Sequence, residues 1–467
     1  MAALISVFDP GAAAAEKAII IGGGPNLKES QGQIEQNVVW LQAILPRLGY
    51  QIDMYYGNGN ESGDDVTYVD VDAPNIDLRM PLAEVFETAG YSQAIYKHHD
   101  VKDVLGSTRE EELTPALEKT FAALTPGSSI LLVFNGHGGE GHDVYTDNTL
   151  DLWGSSAITV AELDQIFDKA PERSTIHFVL PQCFSGGFAS LMYRPPGTKR
   201  LSPQNRCGFM SQDPHRGAEG CDLDVGHVDY RDYTTYFFAA LAGKSRNDDS
   251  LASDPDLDRD GRVSFLEAHW YALRTAVSDD LPRSTSEVFL EDWEPRALRD
   301  AVVPDNTQSV YWQIAADVAA AHGWSLSESQ LKAKEEELTH DEELSEKQEN
   351  DLRDSIKDLQ SELRRLLIKR WPMLRQPYKD LSTSKDQQEL KEINAFLNTN
   401  ADYIRLRDAL DALQAAEANT LEHSRQKTQI EKVERMLKLA RLKALFDAHA
   451  SQNERGQYLR LINCEQN

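Results

Sequence analysis

Ser129-Ile-Leu-Leu-Val-Phe-Asn-Gly-His-Gly-Gly139 and, further on, Thr175-Ile-His-Phe-Val-Leu-Pro-Gln-Cys-Phe-Ser-Gly-Gly187 decide the reading of this chain. Each is a short apolar run closed by a glycine-rich turn that holds one reactive residue, His137 in the first and Cys183 in the second. Runs of this length bounded by glycine predict buried strands. Between them Thr159, with Glu162 three residues later, predicts a capping box on a helix that continues through Leu163 and Ile166. Upstream, Lys17 to Ile21 predicts a strand ending at Gly22-Gly23-Gly24. Ile34, Val38, Leu41, Leu45 and Leu48 then carry a helical period to Gly49, and Gln51 to Tyr56 predicts a second strand. Strands alternating with helices build a mainly parallel sheet covered on both faces, whose function gathers on loops at the carboxyl ends of the strands.

Two reactive side chains delivered to one sheet edge define a chemistry. A cysteine near its ordinary pKa is mostly a thiol at neutral pH, and a histidine is the side chain suited to take its proton and later return it to a leaving amine. Gly138 lets the backbone approach a scissile carbonyl, so that its N–H and that of Cys183 are candidate oxyanion donors. Ser185, Gly186 and Gly187 are expected to turn into a helix whose N-terminal dipole favours a thiolate.

An apolar strand followed by Gly136-His137-Gly138, then one followed by Cys183-Phe184-Ser185-Gly186, resembles the catalytic pattern of the caspase, metacaspase and legumain cysteine peptidases. The resemblance implies an α/β caspase-like three-layer sandwich around a mainly parallel sheet, over about residues 15–320. It implies peptide-bond hydrolysis through an acyl-enzyme, with His137 as base and acid, Cys183 as nucleophile and no metal in the chemical step. Pro181 departs from the pattern, since metacaspases carry aspartate and caspases glutamine at that place, so the preferred P1 residue does not transfer. By the same resemblance the loop entering the first helix lines the substrate pocket, which points to Lys28, Glu29 and Gln31 beside Pro181. A lysine there favours acidic P1 residues and a glutamate basic ones. Tyr193 to Arg206, rich in proline and basic residues, is a candidate exposed loop for self-cleavage. A scaffold that has lost catalysis and a peptide ligase are the rival readings.

Asp256-Leu-Asp-Arg-Asp-Gly-Arg-Val-Ser-Phe-Leu-Glu267 is a second motif. It has the twelve positions of an EF-hand loop, with oxygens from Asp256, Asp258, Asp260, the Arg262 carbonyl, Ser264 through water and Glu267. A hard cation, Ca2+, suits such a set. The pattern leaves open whether calcium regulates or only staples the domain.

From Ser325 glycine nearly vanishes, and Leu352, Ile356, Leu359, Leu363 and Leu366 are spaced as a heptad seam. Ile430, Val433, Leu437 and Ala440 repeat it, and Trp371 to Pro377 breaks the first helix from the next. Residues 325–465 are therefore expected to form an all-α helical hairpin or coiled-coil arm, which offers a surface for a partner or for self-association. The excess of 76 acidic over 48 basic residues, a formal charge of -28, argues against nucleic acid and anionic membranes. Met1 to Gly11 lacks the pattern of a signal peptide, and no apolar run is long enough to cross a bilayer, so the chain reads as cytoplasmic. Four cysteines do not make a disulfide framework, although Cys207 and Cys221 lie close enough in sequence to pair. Gly22-Gly23-Gly24 fails the phosphate-loop spacing, and His98-His99-Asp100 reads as a solvated helix end.

Overall fold

The computed structural model describes residues 16–70, 79–88, 93–225, 230–298, 303, 306–375 and 383–467. The stretch examined for a signal peptide, Met1 to Gly11, and the second proline of the helix break, Pro377, lie outside them. Seven strands form the main sheet: β1 (Glu16–Gly22), β2 (Tyr50–Tyr56), β3 (Val104–Gly106), β4 (Ser129–Asn135), β5 (Thr175–Leu180), β6 (Asn205–Met210) and β7 (Arg283–Ser284). Their order is β7-β6-β5-β4-β1-β2-β3, and every pairing is parallel except that of the short edge strand β7. The strand order reverses between β1 and β4, and this is where an open parallel sheet leaves a crevice at its carboxyl edge.

Alternation along the strands divides the core in two, because successive side chains point to opposite faces. Ile19, Ile21, Ile130, Leu132, Phe134, Ile176, Phe178 and Leu180 face helices α3 (Glu110–Ala122) and α4 (Val160–Phe167). Ala18, Ile20, Leu131, Val133, Val179 and Phe209 face α1 (Gly32–Ile44), α5 (Tyr233–Ala242) and α6 (Phe265–Thr275). The capping box on α4 forms as the sequence predicts, with the Thr159 side chain accepting from Glu162 N–H and the Glu162 carboxylate accepting from Thr159 N–H. A short helix α2 (Met80–Phe86) lies outside this sandwich.

Helices α7 (Thr285–Trp293) and α8 (Val310–Ala321) lead into the helical region, which comprises α9 (Glu328–Arg370), α10 (Ser384–Leu397), α11 (Ala401–His449) and α12 (Gln452–Glu465). Contacts between Glu342 and Lys427, Ser345 and His423, and Arg353 and Glu417 run in opposite chain directions, so α9 and α11 are antiparallel. The first seam follows Ile356, Leu359, Leu363 and Leu367, while Leu366 is 39% exposed. That spacing is the period of a straight helix, not the heptad drawn from the sequence. Both seams are consumed within the chain: the first packs on Leu390, Ile393, Tyr403 and Leu406. The second, through Ile430, Val433 and Ala440, packs on Ile314, Ala315 and Val318 of α8 and Phe289 of α7. The helical region is thus no free arm beyond residue 325, since α12 and the second half of α11 seal one side of the sheet domain.

A disulfide fixes that seal. Cys207 on β6 bonds Cys464 on α12, 257 residues away, and not Cys221 as proximity in sequence suggested. Cys207 stands within the strand and is fully buried, whereas the chain carries Cys221 off to the carboxyl edge of the sheet. No helix among the described residues is long and apolar enough to cross a membrane.

Candidate active site

Ser129 pairs with Thr175 across β4 and β5, an offset of 46 residues, and His137 and Cys183 are likewise 46 residues apart. The two strands therefore deliver their loops at one height on the same edge. The loops touch: Gly138 has no space for a side chain, because a Cβ there would stand 2.5 Å from the Cys183 carbonyl oxygen and 2.7 Å from Gln182 Cγ. The β-hairpin of Thr149–Leu152 and Ser156–Thr159 braces the histidine loop. Asp151 N–H donates to the His137 carbonyl (2.9 Å), and Thr149 N–H donates to that of Gly139 (3.0 Å).

Gln31 holds the imidazole from the opposite side, its Oε1 lying 2.8 Å from His137 Nε2. A carbonyl oxygen can only accept, so Nε2 carries the proton and Nδ1 presents a lone pair. Burial pushes the His137 pKa below its ordinary value, against the pull of Glu29 and Asp151. Burial also pushes the Cys183 thiol up, partly offset by a hydrogen bond with the Ala218 backbone. The resting pair is therefore a neutral imidazole and a neutral thiol. Desolvation, which disfavours whichever form is charged, acts on both.

The sulfur facing Nδ1 belongs to Cys221, at 3.8 Å. Cys221 and Cys183 line one small cavity with Asn135, Gly136, Pro181, Gln182, Ala218 and Asp232, and its volume is about 10 Å³. Phe184 has left-handed backbone, φ 58°, and opens the helix expected there, which is a 3-10 helix over Ser185–Met192. Buried Asn148 stitches the parts together. Its Nδ2 donates to the carbonyls of Phe184 (2.8 Å) and Pro214 (2.9 Å), and its Oδ1 accepts from Gly141 N–H (2.8 Å).

The residues named from the sequence as pocket-lining part company. Pro181 lines the cavity at Cys183, Gln31 orients His137, and Glu29 acts on the imidazole. Lys28 lines a separate cleft of about 420 Å³ with Arg353, Lys357 and Arg364 of α9. The candidate self-cleavage loop is not uniformly open: Arg206 is buried on Asp164 and Asp168, while Arg194 is half exposed on Asp168. Asn148 and Cys221 were missed, since one amide and one thiol in polar loops carry no pattern that sets them apart from ordinary loop residues.

In the acidic loop, oxygens of Asp256, Asp258 and Asp260 lie within 4.8 Å of one another. Their carboxylates are aimed by N–H donors of the loop, from Asp260 and Gly261 to Asp256 and from Arg262 to Asp260. Gly261 takes φ 87°, a turn that glycine makes freely. Glu267 sits apart from that trio. It forms a capping box with Ser264 at the start of α6 and accepts the N–H groups of Leu257 (2.9 Å) and Asp258 (3.2 Å). The donor set is all oxygen and fits a hard cation.

His98 and His99 lie beyond a strand over Ile95–Lys97, not at a helix end. The carboxylate beside them is Asp65, which lies 2.7 Å from His99 Nδ1 and also accepts from the N–H groups of Asn58 and His99. With those acceptors filled the group is a structural pin for two loops.

No family model matches the chain, and no curated protein matches it. Among solved structures, the crystal structure of protein GSU0716 from Geobacter sulfurreducens aligns with 58% of this chain and 92% of that one, at 11% identity and a TM-score of 0.35.

Proposed function

We propose that the chain is a cysteine endopeptidase of the caspase, metacaspase and legumain type, with Cys183 as nucleophile and His137 as its proton-transfer partner. The observation that carries this reading is the shared offset of 46 residues between β4 and β5 and between the two reactive residues, with Gly138 packed on the Cys183 carbonyl. In the reaction the Cys183 proton passes to His137 as Sγ bonds the scissile carbonyl carbon, and the oxyanion is held by the N–H groups of Gly138 and Cys183. The C–N bond then breaks as His137 returns the proton to the amine. Water, deprotonated by His137, opens the thioester and regenerates the thiol. No metal takes part. Calcium at Asp256, Asp258, Asp260, the Arg262 carbonyl and Glu267 acts on stability or regulation, and the protein substrate is unassigned.

The test is turnover of a fluorogenic peptide library varied at P1 by wild type and Cys183→Ala, with calcium and with chelator. Loss of turnover in Cys183→Ala establishes the peptidase. Ligated products identify a transpeptidase. An absence of both turnover and Cys183 labelling by a peptidyl electrophile, in wild type and in a variant with the site uncovered, sinks the reading and leaves a scaffold.

A further inference from the structure

Between β6 and α5 the chain passes directly over Cys183. The Arg216 carbonyl accepts the Phe184 N–H (2.8 Å), and the Ala218 N–H donates to Cys183 Sγ (3.2 Å). A side chain on Gly217 would stand 3.8 Å from the same sulfur. A peptide about to be cut must present its carbonyl carbon to the sulfur and its carbonyl oxygen to the oxyanion donors. This segment turns the Ala218 N–H (3.2 Å) and the Ala218 carbonyl oxygen (3.8 Å) to the sulfur, so both of its hydrogen-bonding roles are taken up by the segment's own backbone. With it in place the cavity of about 10 Å³ has no room for a substrate side chain.

The segment is pinned from outside by one stretch of α11. Arg425 grips the Glu219 carboxylate with Nε (2.8 Å) and Nη2 (2.6 Å). Arg216 pairs with Glu431 and donates from Nη2 to Thr428 Oγ1 (3.0 Å). Asp279 accepts hydroxyls from Ser424 (2.8 Å) and Thr428 (2.7 Å) and also faces Arg216. These contacts are polar and partly exposed, unlike the apolar packing that holds the rest of α11 to α8. Polar clamps of this kind open at lower free energy than a packed core.

We propose that Arg216–Cys221 is an autoinhibitory strap over Cys183 and that α11, through Arg425 and Thr428, is its latch. The inference rests on the reading of Cys183 as the reacting thiol. The site opens when the latch side chains let go, while the disulfide and the apolar seam keep α11 attached.

The test is the rate at which iodoacetamide alkylates Cys183 in the full-length protein, read site by site by peptide mass spectrometry. Glu219→Ala and Arg425→Ala are expected to raise that rate about tenfold or more, the ratio that a loss of about 1.4 kcal/mol of closure produces. The reversed pair Glu219→Arg with Arg425→Glu brings the rate back towards wild type. Thr428→Val, which removes a hydroxyl and little volume, raises it with the melting temperature preserved. Alkylation at the wild-type rate in all of these folded variants overturns the strap. Alkylation needs access and not catalysis, so faster alkylation with no peptide turnover keeps the strap and overturns the peptidase instead.

Discussion

Cys221 Sγ stands 3.8 Å from His137 Nδ1, so the thiol in contact with the imidazole is not the one that the strand pattern selects. Burial holds the Cys221 thiol well above its ordinary pKa, and its segment is the strap itself. A swing of the strap removes Cys221 from the imidazole and leaves Nδ1 to Cys183. Cys221→Ala is therefore expected to keep electrophile labelling at Cys183 and peptide turnover, and Cys183→Ala to abolish both. The reverse pattern in the two variants would make Cys221 the nucleophile.

Gln31 fixes which nitrogen of His137 is the base. Gln31→Ala removes the side-chain acceptor at Nε2, and loss of one orienting hydrogen bond of this kind lowers kcat by about tenfold to a hundredfold with little change in KM. Gln31→Glu puts a carboxylate in the same place. It favours imidazolium and raises the His137 pKa, which burial otherwise lowers. Activity that needs the neutral base is then lost from the acid side at higher pH than in wild type. An unmoved acid limb in the kcat/KM profile of Gln31→Glu would separate His137 from the titration.

Much of this was legible in the sequence for one reason. Strand, turn and helix are local patterns, and a parallel register turns an equal spacing along the chain into an equal height on the sheet, which is why Gly136-His137-Gly138 and the Cys183 turn could be placed together. The strap could not be read, because Ala218 acts through its backbone N–H and any residue has one. The latch was equally silent, since Arg425 and Glu219 are 206 residues apart and look like the alternating charges of any solvated helix. The Cys207–Cys464 bond was not legible, because distance in sequence says little about distance across a sheet. The 3-10 form of the helix after Cys183 escaped prediction because its buried turn is set by tertiary packing and not by helix propensity.

Asn148, fully buried, joins the histidine loop, the cysteine loop and the stretch just before the strap by three hydrogen bonds. Asn148→Ala removes the partner of the Gly141 N–H and of the Pro214 carbonyl and leaves the Phe184 carbonyl only the Gly187 N–H, and is expected to cost about 2–4 kcal/mol. A urea melt measures it. Alkylation of Cys183 in the same variant should be faster, because Pro214, two residues before the strap, loses its tie.

The Cys207–Cys464 bond closes the chain over 257 residues. Cross-links of long loops stabilise by about 3–5 kcal/mol through the unfolded state. Cys464→Ser should lower stability by that amount, and added reductant should lower wild type to the level of the variant while leaving the variant unchanged. A wild type indifferent to reductant under denaturing titration would show that the thiols are unpaired in solution.

The acidic loop separates two roles of carboxylates that share one motif. Asp258 is exposed, and its Oδ1 accepts the Asp260 N–H within the loop. Glu267 is buried and caps α6 in addition to closing the loop. Calcium at about a hundred times its Kd stabilises a protein by about 2.7 kcal/mol. Asp258→Asn should therefore melt like wild type in chelator and lose most of the calcium-induced rise in Tm. Glu267→Gln should melt lower even in chelator, by about 1 kcal/mol for the weakened cap, and also lose the calcium response. If calcium raises the Tm of Asp258→Asn as much as that of wild type, the loop does not bind it. If peptide turnover follows the same titration as the Tm, the loop regulates the site, because α6 packs beside α5, which lies downstream of the strap in the chain.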